Sequence, residues 1–224
     1  MIMRLILMIL VCLLLFFFLS TAIAFDDNFN DGNTNGWEIN KNDDGKWQVK
    51  DGKLRIEAKE RYSRILIGDE NWIDYTFEVT ATKVSGNYPC MLFRAKDFET
   101  CYDYEASYSS NTLAVFKGDG DLWNSTEITP GGQPNRPPFP GGETHTYKVE
   151  VNKANIKCYL DNELVIEFED KDRPIMSGKI GLASYSNSII DYDNVVVTGT
   201  GIPGTVESKG KLVISWSALK QGYR

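Results

Sequence analysis

Residues 144–170 read THTYKVEVNKANIKCYLDNELVIEFED, and residues 177–198 read SGKIGLASYSNSIIDYDNVVVT. Tyr147, Val149 and Val151 alternate with Lys148 and Glu150. After Lys153-Ala154-Asn155 the alternation resumes, with Ile156, Cys158 and Leu160 against Lys157 and Tyr159. Asp161-Asn162 turns the chain, and Leu164, Ile166 and Phe168 alternate with Val165, Glu167 and Glu169. A period of two punctuated by Asn/Asp turns is the pattern of antiparallel strands with one buried face. Gly178–Tyr185 and Ser188–Thr198 add two further strands. Consecutive strands without a helical period predict an all-β protein, an antiparallel β-sandwich.

Working outward, the same grammar recurs upstream. FDDNFNDGNTNGWEI (25–39), WQVKDGKLRIEA (47–58), NWIDYTFEV (71–79) and MLFRAKDFETCYDYEA (91–106) are short apolar-alternating runs separated by Gly, Asn and Asp. Tyr75, Phe77 and Val79 share one face, and Thr76, Glu78 and Thr80 the other, as a sandwich with one dry and one wet face needs. Together with the YKVEV, IKCYLDNELV, SGKIGLASY and DYDNVVV segments, these runs resemble the concanavalin A-like jelly-roll superfamily. In pattern they are most similar to its bacterial secreted laminin-G-like and keto-disaccharide-hydrolase-like groups. The resemblance covers Phe25 to Thr198. It implies a jelly-roll fold but no single activity, because lectins, glycosidases and adhesion modules share it.

Residues 1–24 read as a secretory leader: Arg4, an apolar run from Leu5 to Leu19, then Ala22-Ile23-Ala24 as the cleavage signal. The run is short for a membrane span. The expected protein is therefore secreted or extracytoplasmic, and free of the membrane once the leader is removed. Residues 25–198 form the sandwich domain, long enough for one buried core. Residues 199–224 open with Gly-Thr-Gly-Ile-Pro-Gly and form a linker and a short basic tail. The chain carries a net charge of −7. The body is more acidic still once Arg4 and the tail's Lys209, Lys211, Lys220 and Arg224 are set aside. Such a body excludes nucleic acid as a partner, since phosphates need Lys/Arg neutralisation, and fits a neutral extracellular glycan.

Cys90, Cys101 and Cys158 follow the leader. Cys90 and Cys101 flank a hairpin turning near Asp97-Phe98, which sets Cys101 about five residues from Cys90 across the ladder. At roughly 3.3 Å per residue this exceeds the reach of a disulfide. Cys158 falls on the apolar phase of its strand. There is no C-x-x-C, and His145 is the single histidine, so neither a zinc knuckle nor a conventional triad is expected.

Asp26-Asp27-Asn28-Phe29-Asn30-Asp31-Gly32 crowds oxygen donors into one segment, which suits calcium or, more plainly, an Asx-rich turn. The resemblance implies a structural calcium between the first and last strands of such jelly rolls. On that basis Asp27 and Asp193 are the candidate metal residues.

The hairpin from Cys90 to Ser107 carries the candidate ligand residues. The resemblance places it in the sheet whose outer face forms the jelly-roll groove. With Tyr102 and Tyr104 in the core, Asp103 and Glu105 face outward, about 6–7 Å apart, near the carboxyl separations used by glycosidases. Arg94 is expected across from them. The plain alternative is a solvated sheet face. Glucanases of the superfamily carry a strand motif E-x-D-x-E. Here Asp103-Tyr104-Glu105 is present, but Cys101 stands at the first position and the nucleophile of that pattern is missing. Residues 118–142 form a long Gly/Pro-rich connection with Trp123 and Phe139 as candidate contact aromatics and a short strand within Leu122–Ile128. Trp37 and Trp47 are expected at the core edge or, alternatively, as sugar platforms.

The expected function is non-catalytic, lectin-like recognition of extracellular carbohydrate through Arg94, Asp103, Glu105 and Trp123. The alternative is a glycoside hydrolase or keto-disaccharide-hydrolase-like enzyme using Asp103 and Glu105. The third reading is an adhesion module that binds protein.

Overall fold

The structure, a computed structural model, describes residues 23–199 and Ile202. Most of the expected leader and nearly all of the tail lie outside the described residues. Among the described residues fifteen strands make two antiparallel sheets. They are β1 (Ile23–Asp27), β2 (Glu38–Ile39), β3 (Lys46–Lys50), β4 (Lys53–Glu57) and β5 (Ser63–Ile67). There follow β6 (Tyr75–Ser85), β7 (Cys90–Ala95), β8 (Cys101–Ser107), β9 (Thr112–Gly118) and β10 (Thr126–Glu127). The last are β11 (Thr144–Asn152), β12 (Asn155–Leu160), β13 (Glu163–Glu169), β14 (Lys179–Ser184) and β15 (Ile189–Thr198). One sheet runs β13-β12-β11-β6-β15-β4-β3, with β1 also paired to β15. The other runs β10-β9-β8-β7-β14-β5-β2.

The alternation read from residues 144–160 is the register found, whereas in β13 a register shift opposite Cys158–Tyr159 leaves Leu164 exposed and only Ile166 fully buried. Tyr147, Val149 and Val151 lie opposite Leu160, Cys158 and Ile156, and all six are buried. The turn at Asp161-Asn162 has both residues at positive φ, where Asn and Asp are the non-glycine residues best tolerated. Ile23 pairs with Thr198, so β1 begins just before the expected cleavage point. Cleavage after Ala24 would leave the pairs of Phe25, Asp26 and Asp27 in place.

The main core lies between the sheets. Phe77, Val79, Val149 and Tyr192 from one sheet meet Phe93, Tyr102, Tyr104 and Val115 from the other. Tyr192 ties the layers together: its hydroxyl donates to Ala183 O (2.6 Å) and accepts from Cys90 N (2.9 Å). Trp37 belongs to this core, edge-on to Phe25, and Trp47 packs against it. Neither tryptophan stands out as a platform.

The centre of the second sheet is buried on both faces. Every residue of β5, β7 and β8 is buried. Its outer face carries a smaller apolar cluster of Tyr62, Leu66, Cys90, Leu92, Cys101, Leu122 and Ala183, with Tyr88, Phe98 and Tyr185 packed against it. The Tyr62, Leu122 and Tyr185 segments thus roof a face that alternation alone would leave to solvent. Gly181 in β14 marks how closely the neighbouring strand β5 crowds it: a Cβ there would sit 2.4 Å from the Leu66 side chain and 2.7 Å from Ile65 O.

Candidate functional site

Asp103 and Glu105 share the outer face of β8, opposite Leu92 and Cys90 of β7. The expected shared face is correct; the expected solvated one is not. Asp103 is fully buried and Glu105 is 4% exposed. Each carboxyl is held by a tyrosine from a covering segment. The Tyr62 hydroxyl donates to Asp103 Oδ2 (2.9 Å), and the Tyr185 hydroxyl donates to Glu105 Oε2 (2.9 Å) and Oε1 (3.1 Å). The Cys90 thiol faces Glu105 Oε2 at 3.8 Å. Burial pushes both carboxyls up from the ordinary carboxylate range. For Asp103 the Tyr62 hydrogen bond opposes the rise; for Glu105 the neighbouring Asp103 charge adds to it and the Tyr185 hydrogen bond opposes it. Burial likewise pushes the Cys90 thiol up.

Above this floor stands an aromatic wall. Tyr88 stacks on Tyr185 with centroids 4.2 Å apart, and Tyr62 lies 4.7 Å from Tyr185. Trp123 meets both Tyr62 and Tyr185 edge-to-face at 6.0 Å. Trp123 is 41% exposed, and the Arg61 guanidinium sits over its ring at 5.0 Å. A cleft of about 230 Å³ is lined by Tyr62, Glu105, Phe116, Trp123, Ser125 and Tyr185. A larger one of about 980 Å³ shares Tyr62 and Trp123 with it and continues past Arg64, Glu99, Lys59 and Asp121. Trp123 is therefore the ridge between two contiguous clefts.

Glu99, four residues before Asp103, positions this ridge. Its Oε2 accepts from Leu122 N (3.0 Å) and its Oε1 from Arg64 Nη1 (2.9 Å), while Arg64 forks onto Asp43. The segment carrying Trp123 is thus tied to β5 and to the 40–45 loop. Its far part is fastened by Arg136, whose Nε and Nη2 donate to Glu127 Oε1 (2.7 Å) and Oε2 (2.8 Å). The short strand expected within Leu122–Ile128 is β10.

Arg94 requires a correction. It does not face Asp103 and Glu105. β7 carries a bulge against β14, the register slipping between Lys179/Ala95 and Gly181/Leu92, and Arg94 sits at φ 49°. An extra residue in one strand turns its side chain off the alternating phase. The guanidinium is buried at the end of the sandwich. It donates to Lys153 O, to Ile175 O (2.9 Å), to Ile73 O (3.0 Å) and weakly to Asp74 Oδ1 (3.5 Å). Arg94 is a structural tie, not a wall of the groove. Phe139 is also corrected: it is 3% exposed and packs edge-on against Tyr108 and His145.

Asp27 and Asp193 are not brought to one point. Asp27 turns inward, accepting from Phe29 N (2.9 Å) and from Trp37 Nε1 (2.9 Å). Asp193 lies on the outer phase of β15, between buried Tyr192 and Val195, and accepts from Asn194 N. Each Asp27 oxygen is thus engaged by one donor of its own segment. The three described cysteines are buried and free, with Cys90 opposite Glu105 and Cys101 opposite Gly118. His145 bonds Asp161 Oδ2 and Gly141 O at 2.7 Å each and is buried.

The sequence reading missed Tyr62, Tyr88 and Tyr185. The signal for Tyr185 was present: Gly181, Ala183 and Tyr185 share the phase opposite to core-facing Ile180 and Leu182. Tyr62 and Tyr88 lie outside strands, where no period exists to orient them.

The fold, two antiparallel sheets packed as a sandwich, is a jelly roll of the kind found in lectins and glucanases. Within that class the chain belongs to the 3-keto-alpha-glucoside-1,2-lyase-like domain family, whose model matches residues 24–198. Among solved structures it is similar to the carbohydrate binding module CBM66 from Bacillus subtilis, at 22% identity and TM-score 0.60 over 75% of this chain and 98% of that one. It is also similar to the catalytic domain of an endo-1,3-beta-glucanase (laminarinase) from Thermotoga petrophila, at 14% identity and TM-score 0.53 over 80% and 98%. A putative glycosyl hydrolase from Parabacteroides distasonis matches at 17% identity and TM-score 0.50 over 76% and 91%. These likenesses establish the fold. No curated protein matches the chain.

Proposed function

We propose that this domain recognises extracellular carbohydrate through the paired clefts about Trp123, without needing to cleave it. The observation that carries the reading is the exposed indole of Trp123, wedged by Tyr62 and Tyr185 above a floor containing Glu105. An indole face matches the apolar C–H face of a pyranose, and polar groups at its margin match the sugar's hydroxyl rim. Holding the indole between two tyrosines lowers the cost of ordering it on binding. A net charge of −7 and the pairing of Arg64 with Asp43 and Glu99 favour a neutral glycan over a uronate or sulfate.

An enzymatic reading is favoured by the family's lyase-like description and by Glu105 reaching the cleft floor beside the Tyr185 hydroxyl. A two-carboxylate glycosidase is less well supported. Asp103 has no exposure, so its carboxyl does not reach the cleft as a catalytic partner of Glu105 would have to. Secretion and a protein-free ligand set remain part of the proposal. Affinity electrophoresis in gels of neutral and anionic polysaccharides, with released sugar assayed in the same slices and on 3-keto-glucosides, tests both readings. Retardation by neutral glycans without release, lost in Trp123→Ala, is the expected result. Release abolished by Glu105→Gln would replace recognition with catalysis. No retardation and no release would overturn both.

A further inference from the structure

The floor of the groove has a second chemistry that neither reading uses. The ligating atoms of Cys90, Asp103 and Glu105 all lie within 4.8 Å of one another, and all three residues are buried. Three acidic groups meet in one apolar site, with no cation hydrogen-bonded to any of them among the described residues. A second observation is independent of their crowding. Asp103 gives Oδ2 to Tyr62, while its Oδ1 is buried and has no hydrogen-bond partner. A carboxylate oxygen sealed from water with nothing donating to it is costly unless something else meets its lone pairs.

We propose that Cys90, Asp103 and Glu105 bind a divalent cation of the zinc class. The donor set selects the ion. A thiolate with two carboxylates suits zinc, cobalt or cadmium and is unsuited to calcium or magnesium, which take oxygen ligands. The spacing fits as well. Tetrahedral zinc with sulfur at about 2.3 Å and oxygen at about 2.1 Å puts those ligands roughly 3.6 Å apart. Cys90 Sγ and Glu105 Oε2 stand at 3.8 Å. The surroundings are those of a supported site. Tyr62 fixes the Asp103 carboxylate and Tyr185 fixes that of Glu105, and such outer hydrogen bonds commonly hold metal ligands in place. The three residues come from alternate rungs of β7 and β8 that share one face, with Cys90 directly opposite Glu105, so the sheet presets their separation. Glu105 alone of the three lines the 230 Å³ cleft. That gives an ion a route in and a fourth position facing the groove.

The test uses the full chain, stripped with a chelator and titrated with cobalt(II). One equivalent should bind with a near-ultraviolet thiolate-to-cobalt charge-transfer band, and zinc should bleach it. Cys90→Ser should abolish the band. Tyr62→Phe should keep the stoichiometry and weaken affinity about tenfold or more. Should Cys90→Ser fail to fold, the band must survive in each of Cys12→Ser, Cys101→Ser and Cys158→Ser. Absence of the band at saturating cobalt, its persistence in Cys90→Ser, or its loss in any of those three variants would overturn the proposal. None of these readouts depends on glycan binding, so the site stands or falls apart from the proposed function.

Discussion

Replacing Arg94 with Met separates the structural account of this residue from the ligand role its sequence position suggests. The guanidinium is buried and supplies donors to the carbonyls of Lys153, Ile175 and Ile73. Methionine keeps much of the stem's bulk but donates nothing. Each buried carbonyl left unpaired costs about 1–3 kcal/mol. Three of them set an upper range of roughly 3–9 kcal/mol. Two effects reduce it: the native state no longer buries a charge, and water can reach part of the gap left behind. Truncating one side of a buried charged network typically costs about 3–5 kcal/mol, and that is the loss expected here. With a urea slope of about 2 kcal/mol/M, the midpoint should fall by about 1.5–2.5 M without a change in slope. Equilibrium urea unfolding followed by tryptophan fluorescence reads this directly. Glycan affinity of the folded Arg94→Met protein should equal that of the wild type. A loss below about 1 kcal/mol, accompanied by lost glycan affinity, would refute the argument and return Arg94 to the groove.

Two further outcomes test other parts of the structure. The Arg136 hydrogen bonds hold the Glu127 carboxyl below its usual range, outweighing the opposing effect of partial burial. A folded value below the unfolded one, about 4.3, means the stabilisation is full above that pH and is lost as pH falls through the folded value. Proteolytic nicking within residues 119–142 should therefore rise on the acid side of that window in the wild type, and Glu127→Gln should be nicked readily at every pH; a flat wild-type profile would contradict this. Asp27→Ala removes the acceptor of Trp37 Nε1 and Phe29 N and should cost about 2–4 kcal/mol, read as a lowered thermal midpoint. The loss should be the same with calcium or chelator present, and a calcium-dependent loss would restore the ion expected at Asp27.

The sandwich was legible because its strands obey a period of two and their Asn/Asp turns carry the positive φ that hairpins need. Tyr147, Val149 and Val151 pair as their spacing says they must. Asp103 and Glu105 were placed on the correct face for the same reason. Arg94 was misplaced because a bulge at positive φ leaves no mark in a sequence when the residue is arginine. The buried state of Asp103 was illegible for another reason. Its roof comes from Tyr62, Leu122 and Tyr185, residues far apart in the chain whose convergence depends on sheet order, and sheet order is not encoded in any local period. Trp123 was the reverse case. It was expected as a contact aromatic, and the structure leaves it exposed on the ridge between the clefts, whereas Phe139 of the same connection is buried.

The most direct test of the glycan-binding groove is an oxidation footprint. The protein would be treated with a tryptophan-selective oxidant in the presence and absence of a neutral polysaccharide that retards it, and modified peptides mapped by mass spectrometry. Trp123 is 41% exposed while Trp37 and Trp72 are buried, so Trp123 should be oxidised ahead of those two in the free protein. Bound glycan should protect it. Glycan binding that leaves Trp123 fully reactive would place the ligand elsewhere and contradict the account.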